Sequence, residues 1–219
     1  MIRYAITDGA RFGADAAARL TGLVADAARW ADLGVDFVQL REKTLGGSEL
    51  LRLASAMAGV FKEQGGTTKL LVNGRADVAV ASGADGVHLT SGVDELTVEQ
   101  VRRVMAGAVV SVSCHSLEDV ERARDAGVDL ILFGPVFGKS VGGSLVVEGV
   151  GLEALRRACK VAGGVKVLAL GGVDAENVGS LRFHEGLGFE RVGRFREVGY
   201  KFGRYLDLIF VQYVFGTPD

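Results

Sequence analysis

The residues Gln39, Arg41 and Lys43 form the strongest chemical pattern in the sequence. They alternate along the segment VQLREK at the end of an apolar run, so we expect their side chains to lie on one side of an extended chain. Arginine offers a planar fork of hydrogen-bond donors, and lysine offers a mobile positive charge. This combination suits a diphosphate group. A solvated, salt-bridged strand end is the alternative that the spacing leaves open.

Polar side chains also follow the other apolar runs of the chain. They are Thr7, Asp8, Asn73, Arg75, His88, Ser113 and His115, with Lys139 in the segment GPVFGKS and the glycine pair Gly171 and Gly172. A glycine pair lets the backbone approach a phosphate, although a plain turn has the same sequence. Each of the two histidines is a candidate acid–base group or a hydrogen-bonded structural residue. Since no Ser-His-Asp order or His/Cys ligand set is recognised, the pattern favours phosphate binding over nucleophilic catalysis by the protein.

Three segments share a pattern that indicates a repeating unit. Each has a glycine, a small apolar residue, an aspartate and then an apolar run, and each follows a helical pattern. We expect the glycine to end the helix in a left-handed conformation. Near-continuous apolar runs are typical of strands in parallel sheets. The segments are LGVDFVQL (33–40), SGADGVHL (82–89) and AGVDLILF (126–133).

Four further apolar runs complete a set of seven predicted strands, at residues 2–7, 69–73, 109–113 and 166–170. Helical patterns lie roughly at residues 14–31, 48–64, 97–105, 116–126 and 150–162. This alternation predicts an α/β fold of the (β/α)8 TIM-barrel type, with the polar residues above at the C-terminal ends of the strands. A doubly wound open sheet is the alternative. It normally carries a G-x-G-x-x-G turn after the first strand, which TDGARFG does not fit.

The C-terminal segment departs from the repeat. An eighth strand is expected after residue 178, but the chain continues with EGLGFERVGRF and then contains two strand patterns, at 189–200 and 205–215, joined by KFGR. This is a hairpin pattern. We therefore predict a barrel over residues 1–179. Its eighth β/α unit is replaced by a helix and a β-hairpin from residues 180–219, packed as part of the same domain.

Composition narrows the classes of function. The net charge of −2 gives no reason to expect nucleic acid or an anionic membrane as a partner. The two cysteines lack metal-binding spacing and suit a reducing compartment. We recognise no secretory signal and no membrane-spanning run, so we expect a cytoplasmic protein with small-molecule substrates. The apolar strand LDLIFVQYVF leaves pairing between copies, and therefore a homo-oligomer, open.

Taken together, these segments resemble the thiamine phosphate synthase family over about residues 3–179. The resemblance implies a barrel enzyme that joins hydroxymethylpyrimidine diphosphate to a thiazole phosphate, uses Mg²⁺ and releases diphosphate. The matching segments are YAITD (4–8), VQLREK (38–43), VNGRADVA (72–79), ADGVHL (84–89), VSVSCHS (110–116), FGPVFGK (133–139), EGVGLEAL (148–155) and ALGGVDAENV (169–178).

The resemblance implies which residues bind the diphosphate and act in catalysis. Gln39, Arg41 and Lys43 would hold the diphosphate, and Lys139 would add positive charge. Ser113 would contact the substrate near the reacting carbon, so that Ser113 and Lys139 are the implied catalytic residues.

The resemblance also implies contacts to the remaining groups. Asn73 would contact the pyrimidine diphosphate, and the backbone N–H groups of Gly171 and Gly172 would bind the thiazole phosphate. The family often has Asn-Asp-Arg where this chain has Asn73-Gly74-Arg75, so one of two magnesium carboxylates is absent, and Asp94 is the implied counterpart of the other.

Residues 183–212 resemble the end of GNAT-type N-acetyltransferases of the phosphinothricin class. In those enzymes a helix carrying H-E-x-L-G-F precedes the last two strands, and this chain has HEGLGF at 184–189. The glycine-rich turn that would bind the diphosphate of coenzyme A is not recognised in the sequence. The resemblance therefore implies a shared structural segment and not acetyl transfer.

Three functions are compatible with these patterns. The first is a thiamine phosphate synthase, with or without impairment of its activity by the altered C-terminus. The second is a thiazole tautomerase-like isomerase, in which His115 would be the acid–base group and no metal is needed. The third is a non-catalytic fusion or chimera, natural or engineered, in which the C-terminal segment restores folding but not the site.

Overall fold

A computed structural model of the chain describes residues 2–90, 96–136, 139–141, 144–147, 149–170, 173–174, 181, 185, 190–201 and 204–212. The chain forms two compact units, Met1–Leu170 and Gly171–Asp219. Among the described residues, none of the helices meets the length and hydropathy that a membrane-spanning helix requires.

The first unit contains the seven predicted strands as one parallel sheet, in the order β1-β2-β3-β4-β5-β6-β9. This sequential order, with β1 at an edge, is typical of barrels. A doubly wound sheet instead places its first strand in the interior, so that alternative is wrong. The strands of this unit are β1 (Tyr4–Ile6), β2 (Phe37–Leu40), β3 (Lys69–Asn73), β4 (Gly86–Leu89), β5 (Val109–Cys114), β6 (Leu130–Phe133), β7 (Lys139–Val141), β8 (Ser144–Val147) and β9 (Lys166–Ala169).

All five helices for which the sequence predicts boundaries are present within two residues of the expected ends. The sequence pattern left two features of this unit undefined: the short helix α3 and the antiparallel pair β7–β8, which lies where a loop was expected. A 3-10 helix at Gly9–Phe12 follows β1. The helices are α1 (Ala16–Asp32), α2 (Gly47–Glu63), α3 (Ala76–Ser82), α4 (Val98–Val104), α5 (Leu117–Asp125) and α6 (Gly151–Val161).

The repeated glycine and aspartate connect each helix to the next strand. The three glycines adopt left-handed conformations, as predicted, with φ values of 65°, 72° and 74° at Gly34, Gly83 and Gly127. Each aspartate then exchanges two hydrogen bonds with one residue at the start of the preceding strand. Its backbone N–H donates to that residue's carbonyl, and its carboxylate accepts that residue's N–H. The pairs are Asp36 with Arg3, Asp85 with Leu70 and Asp129 with Val110.

The strand β3 illustrates why these strands contain continuous apolar runs. Leu70, Leu71 and Val72 are all fully buried, although consecutive residues of a strand point to opposite faces. Both faces of the sheet are therefore covered. On the outer side, α2 contributes the buried residues Leu53 and Met57.

The parallel sheet is strongly curved. β1 and β5 are four strands apart in the sheet, a separation of about 19 Å if the sheet were flat. The hydroxyl oxygen of Tyr4 on β1 nevertheless lies 3.3 Å from Oγ of Ser111 on β5. One tyrosine side chain cannot span the flat distance, so the sheet curls around a shared interior, as in TIM-like folds.

The second unit contains a three-stranded sheet of order β10-β12-β11. Its strands are β10 (Val173–Asp174), β11 (Glu190–Lys201) and β12 (Arg204–Gln212). β11 and β12 pair in antiparallel fashion with two irregularities in register, which confirms the predicted hairpin. That this hairpin replaces the eighth unit of a barrel, within one domain, stays a prediction.

Candidate functional site

The candidate residues on the first five strands lie at one edge of the sheet. All of these strands are parallel, so their C-terminal ends meet at a single edge, called here the C-terminal edge. At the end of β2, Arg41 and Lys43 are exposed whereas Leu40 and Glu42 are buried. This alternation agrees with the prediction that the two cations face the same side.

Two side chains fix the backbone around these cations. The hydroxyl of Thr7 accepts a hydrogen bond from the backbone N–H of Arg41 at 2.9 Å, and the N–H of Thr7 donates to the carbonyl of Gln39 at 3.0 Å. The carboxylate of Glu42 accepts from the N–H of Gly9 at 2.9 Å. These bonds join the segment after β1 to the end of β2, so Arg41 is presented from a well-defined backbone.

Below the cations, six polar side chains on β1 to β5 form a continuous hydrogen-bond chain, called here the polar relay. Gln39 Nε2 donates to Asn73 Oδ1 at 2.8 Å, and the Tyr4 hydroxyl lies 3.3 Å from Gln39 Oε1. His88 lies at the other end, with Nδ1 2.8 Å from Ser111 Oγ and Nε2 2.9 Å from Ser113 Oγ. The Tyr4 hydroxyl connects the two halves, 3.3 Å from Ser111 Oγ and 3.4 Å from His88 Nδ1.

The members of the polar relay are electrically neutral at physiological pH. Burial lowers the pKa of His88 to about 4, and the positive charge of Arg41 lowers it further. Burial also raises the pKa of Tyr4 above its usual range, although the hydrogen bond between Tyr4 and Ser111 partly opposes this shift. The site therefore combines exposed cations with uncharged hydrogen-bonding groups that are buried or half-buried.

His115 lies on the segment after β5 and is exposed. Its Nδ1 donates to the carbonyl of Gly134, and its backbone N–H donates to the Asp119 carboxylate at 2.9 Å. His115 therefore connects the end of β5 to the segment after β6. With Nδ1 engaged in this way, Nε2 is the ring nitrogen that would have to act as an acid–base group.

Four predicted site residues have no described side-chain position. Lys139 begins β7, but only its backbone is described. Asp94, Gly171 and Gly172 lie outside the described residues. Within the part of the chain that the structure describes, no three His, Cys, Asp or Glu side chains cluster as a metal site. The roles of these four residues stay predictions.

Two members of the polar relay, Tyr4 and Ser111, were not among the predicted site residues. The signal for Ser111 was present in the alternation VVSVS, which places Ser111 and Ser113 on the same face of β5. Tyr4 had no comparable local signal, because its partners are 35, 84 and 107 residues away in the chain.

This arrangement can bind a ligand with two different parts. The exposed Arg41 and Lys43 suit an anionic group. The neutral relay suits an uncharged polar group, because its buried donors and acceptors require matching partners when water is displaced. A phosphorylated or diphosphorylated heterocycle combines both parts.

Comparisons with known proteins agree with this chemistry. The family model described as "Thiamine monophosphate synthase" matches residues 3–189. The chain is 36% identical over 177 residues to the thiamine-phosphate synthase of Methanoregula boonei, covering 80% of this chain and 76% of that protein. It is 36% identical over 151 residues to that of Chlorobium luteolum, covering 68% of both chains.

A solved structure is also similar, that of the thiamine phosphate pyrophosphorylase of Pyrococcus furiosus. It superposes with a TM-score of 0.60 at 26% identity, over 85% of this chain and 80% of the other. Both the sequence and the fold therefore match one family over most of the chain. This chain belongs to the thiamine monophosphate synthase family.

Proposed function

We propose that this chain is a transferase that joins hydroxymethylpyrimidine diphosphate to thiazole phosphate, forming thiamine phosphate and releasing diphosphate. The bond between the pyrimidine methylene carbon and the diphosphate oxygen breaks, and its electron pair leaves with the diphosphate. The thiazole nitrogen then uses its lone pair to form the new carbon–nitrogen bond. The enzyme has to stabilise the departing negative charge and the transient pyrimidine cation.

The observation that carries this proposal is the position of Arg41 and Lys43 beside the neutral polar relay. In this assignment the two cations hold the diphosphate, and they stabilise it most strongly as its negative charge increases during bond cleavage. The relay binds the uncharged pyrimidine, with Asn73 and Ser113 at its two ends. A neutral His88 suits this role, because a second charge next to Arg41 would oppose the developing pyrimidine cation.

Two further residue assignments rest on the family resemblance. Lys139 would add positive charge near the diphosphate, and with Ser113 it would act at the reacting carbon. The N–H groups of Gly171 and Gly172 would bind the thiazole phosphate.

Magnesium fits this site as an ion held mainly by substrate. Mg²⁺ usually binds through one or two carboxylates together with phosphate oxygens and water, and Asp94 is the carboxylate that the sequence offers. Gly74 follows Asn73 with a φ of 65° and provides no side-chain ligand. When bound, the ion would neutralise charge on the diphosphate leaving group.

Arg41 provides the test of the proposed reaction. We expect Arg41→Ala to lower kcat/KM for the pyrimidine diphosphate by about 100-fold or more, because a charged donor to the leaving group is removed. Diphosphate release would be measured with Mg²⁺ and both substrates. Arg103→Ala is the matched control, since Arg103 is an exposed arginine on α4 that pairs with Glu99. It should retain wild-type kinetics.

Other outcomes distinguish the alternatives. If Arg41→Ala keeps wild-type activity while His115→Ala stops thiazole isomerisation, the chain is a tautomerase-like isomerase. If the folded wild-type protein performs neither reaction, the result supports the third alternative, a non-catalytic fusion or chimera.

For the C-terminal segment we propose a structural role only. The antiparallel pairing of β11 and β12 agrees with the resemblance of residues 183–212 to the end of GNAT-type acetyltransferases. From this resemblance we infer a shared structural segment and no shared reaction. Assay with acetyl-coenzyme A should give no turnover.

A further inference from the structure

The polar relay contains two side-chain amides that carry an acceptor on one side and a donor on the other. Gln39 directs Nε2 towards Asn73 and Oε1 towards the Tyr4 hydroxyl. Gln39 Oε1 can only accept, so the single proton of the Tyr4 hydroxyl points towards Gln39. The Tyr4 oxygen is then available only as an acceptor.

This orientation determines the next proton in the relay. Tyr4 Oη and Ser111 Oγ are 3.3 Å apart, and this contact is a hydrogen bond only if one of the two hydroxyls directs its proton at the other oxygen. Since the Tyr4 proton is used for Gln39, the proton of Ser111 has to point towards Tyr4. Ser111 Oγ therefore accepts from His88, whose Nδ1 lies 2.8 Å away and carries the ring proton.

The last bond follows from the neutral state of the imidazole. A neutral histidine with a proton on Nδ1 has an acceptor at Nε2. The hydroxyl of Ser113, 2.9 Å from Nε2, therefore donates its proton to His88. Ser113 retains its lone pairs for a ligand. At the other end, Asn73 uses its oxygen for Gln39, so its ligand-binding group is the N–H of Nδ2.

We propose that the polar relay fixes the hydrogen-bonding polarity of the site, so that Ser113 presents an acceptor and Asn73 presents a donor. Tyr4, Ser111 and His88 are positioning residues, which act on the ligand through Ser113. The two ends are linked: reversing any one bond requires every other bond to reverse, so the ends always have opposite polarity.

This polarity selects the class of ring that the relay accepts. A matching ring has an N–H donor for Ser113 and a ring-nitrogen acceptor for Asn73, as an aminopyrimidine does. An oxopyrimidine presents the opposite polarity at both atoms and leaves the half-buried Ser113 and Asn73 without a matching partner. This deepens, and rests on, the proposed synthase function, because it assigns the amino group of the pyrimidine as the feature recognised.

The tautomer of His88 in the ligand-free protein tests the relay directly. Nitrogen-15 NMR of histidine-labelled protein at pH 7.5 should show a neutral His88 with the proton on Nδ1. The chain has three histidines, so the His88→Asn variant assigns the signal. A proton on Nε2, a mixture of tautomers or a charged ring would overturn the proposal.

Tyr4→Phe provides the sharper test of the linkage. Without the Tyr4 oxygen, the Ser111 proton turns to Nδ1 of His88, so the ring proton moves to Nε2. The matched control is Thr68→Val, which removes another buried hydroxyl, one that bonds to the carbonyl of Val35. Thr68→Val should keep the wild-type tautomer. An unchanged tautomer in folded Tyr4→Phe would contradict the relay, and the wild-type spectrum decides the matter if that variant does not fold.

A kinetic measurement tests the effect on the ligand. In Tyr4→Phe we expect KM for the aminopyrimidine diphosphate to rise about tenfold and KM for thiazole phosphate to stay constant. The preference for the amino over the oxo compound should fall by at least the same factor. Equal changes in both KM values would contradict a role in pyrimidine recognition. Wild-type protein with the expected tautomer but no synthase activity would count against the proposed function and not against the relay.

Discussion

His88 lies between two serine hydroxyls in the interior of the curved sheet, and its charge state follows from that position. It is 2% exposed, and no carboxylate of the polar relay compensates a positive charge there. The sequence identified His88, Gln39 and Ser113 because each is a polar residue near the C-terminal end of an apolar run. It could not identify Tyr4 as their partner, because that contact depends on the curvature of the sheet.

The low pKa of His88 predicts a loss of stability in mild acid. Its pKa is about 4 in the folded protein and about 6.5 in the unfolded chain. Between these values the unfolded chain binds the proton and the folded protein does not, so acid favours unfolding. The stability present above pH 6.5 should decrease by about 3 kcal/mol as the pH falls towards 4.

Urea denaturation at a series of pH values measures this effect. Carboxylates also titrate towards the lower end of this range, so the relevant quantity is the difference between wild type and His88→Asn. In the variant, the free energy of unfolding should fall less steeply between pH 6.5 and 4, because the contribution of His88 is missing. Parallel curves for the two proteins would show that His88 does not titrate in this range.

At the scale of elements, Gly86 allows the backbones of β4 and β5 to lie unusually close together. A Cβ atom added at Gly86 on β4 would lie 1.9 Å from the carbonyl oxygen of Val109 on β5. These are the strands that carry His88 and Ser111, so the approach of their backbones contributes to the spacing of the polar relay.

We therefore expect Gly86→Ala to destabilise the protein by about 3 kcal/mol, because the β5 backbone must move to accommodate a methyl group. The free energy of unfolding from urea titration measures the change. The matched control is Gly59→Ala on α2, where an added Cβ would meet no atom within 4 Å. That substitution should increase stability by about 0.5–1 kcal/mol, since alanine favours a helix over glycine. A tolerated alanine at residue 86 would show that the strands can separate without cost.

The elements themselves were largely predictable, and the exceptions have physical reasons. The strands of the parallel sheet are buried on both faces, so they can be recognised in the sequence as continuous apolar runs. The pair β7–β8 has only three and four residues per strand, too few for a clear alternation. The repeated aspartates were visible as a pattern, but their bonds to the preceding strand join residues 15 to 33 positions apart.

At the scale of the whole molecule, the two cysteines differ in how accessible they are to a thiol reagent. Cys114 is fully buried in β5, and burial raises its pKa to about 12 with a further contribution from Asp119. Cys159 on α6 is exposed, although partial burial of its thiol also raises its pKa, so its accessibility is what separates it from Cys114. Only a thiolate reacts with an aromatic disulfide reagent, so Cys114 should be inert in the folded protein.

We expect one thiol per chain to react rapidly with 5,5′-dithiobis(2-nitrobenzoic acid) at pH 8, and the second to react at the rate of global unfolding. The absorbance of the released thiolate measures both phases. In Cys159→Ser the rapid phase should disappear while the slow phase remains. Rapid reaction of both thiols in wild type would mean that β5 opens without unfolding of the whole molecule.

Every hydrogen bond of the polar relay joins residues between Tyr4 and Ser113. The information for this part of the site is therefore contained in about the first half of the gene, in five consecutive strand-coding segments. A recombination event that exchanged the codons after Leu170 would leave all of those segments intact. Such exchange would vary the C-terminal segment while the six side chains of the polar relay continued to be inherited as one block.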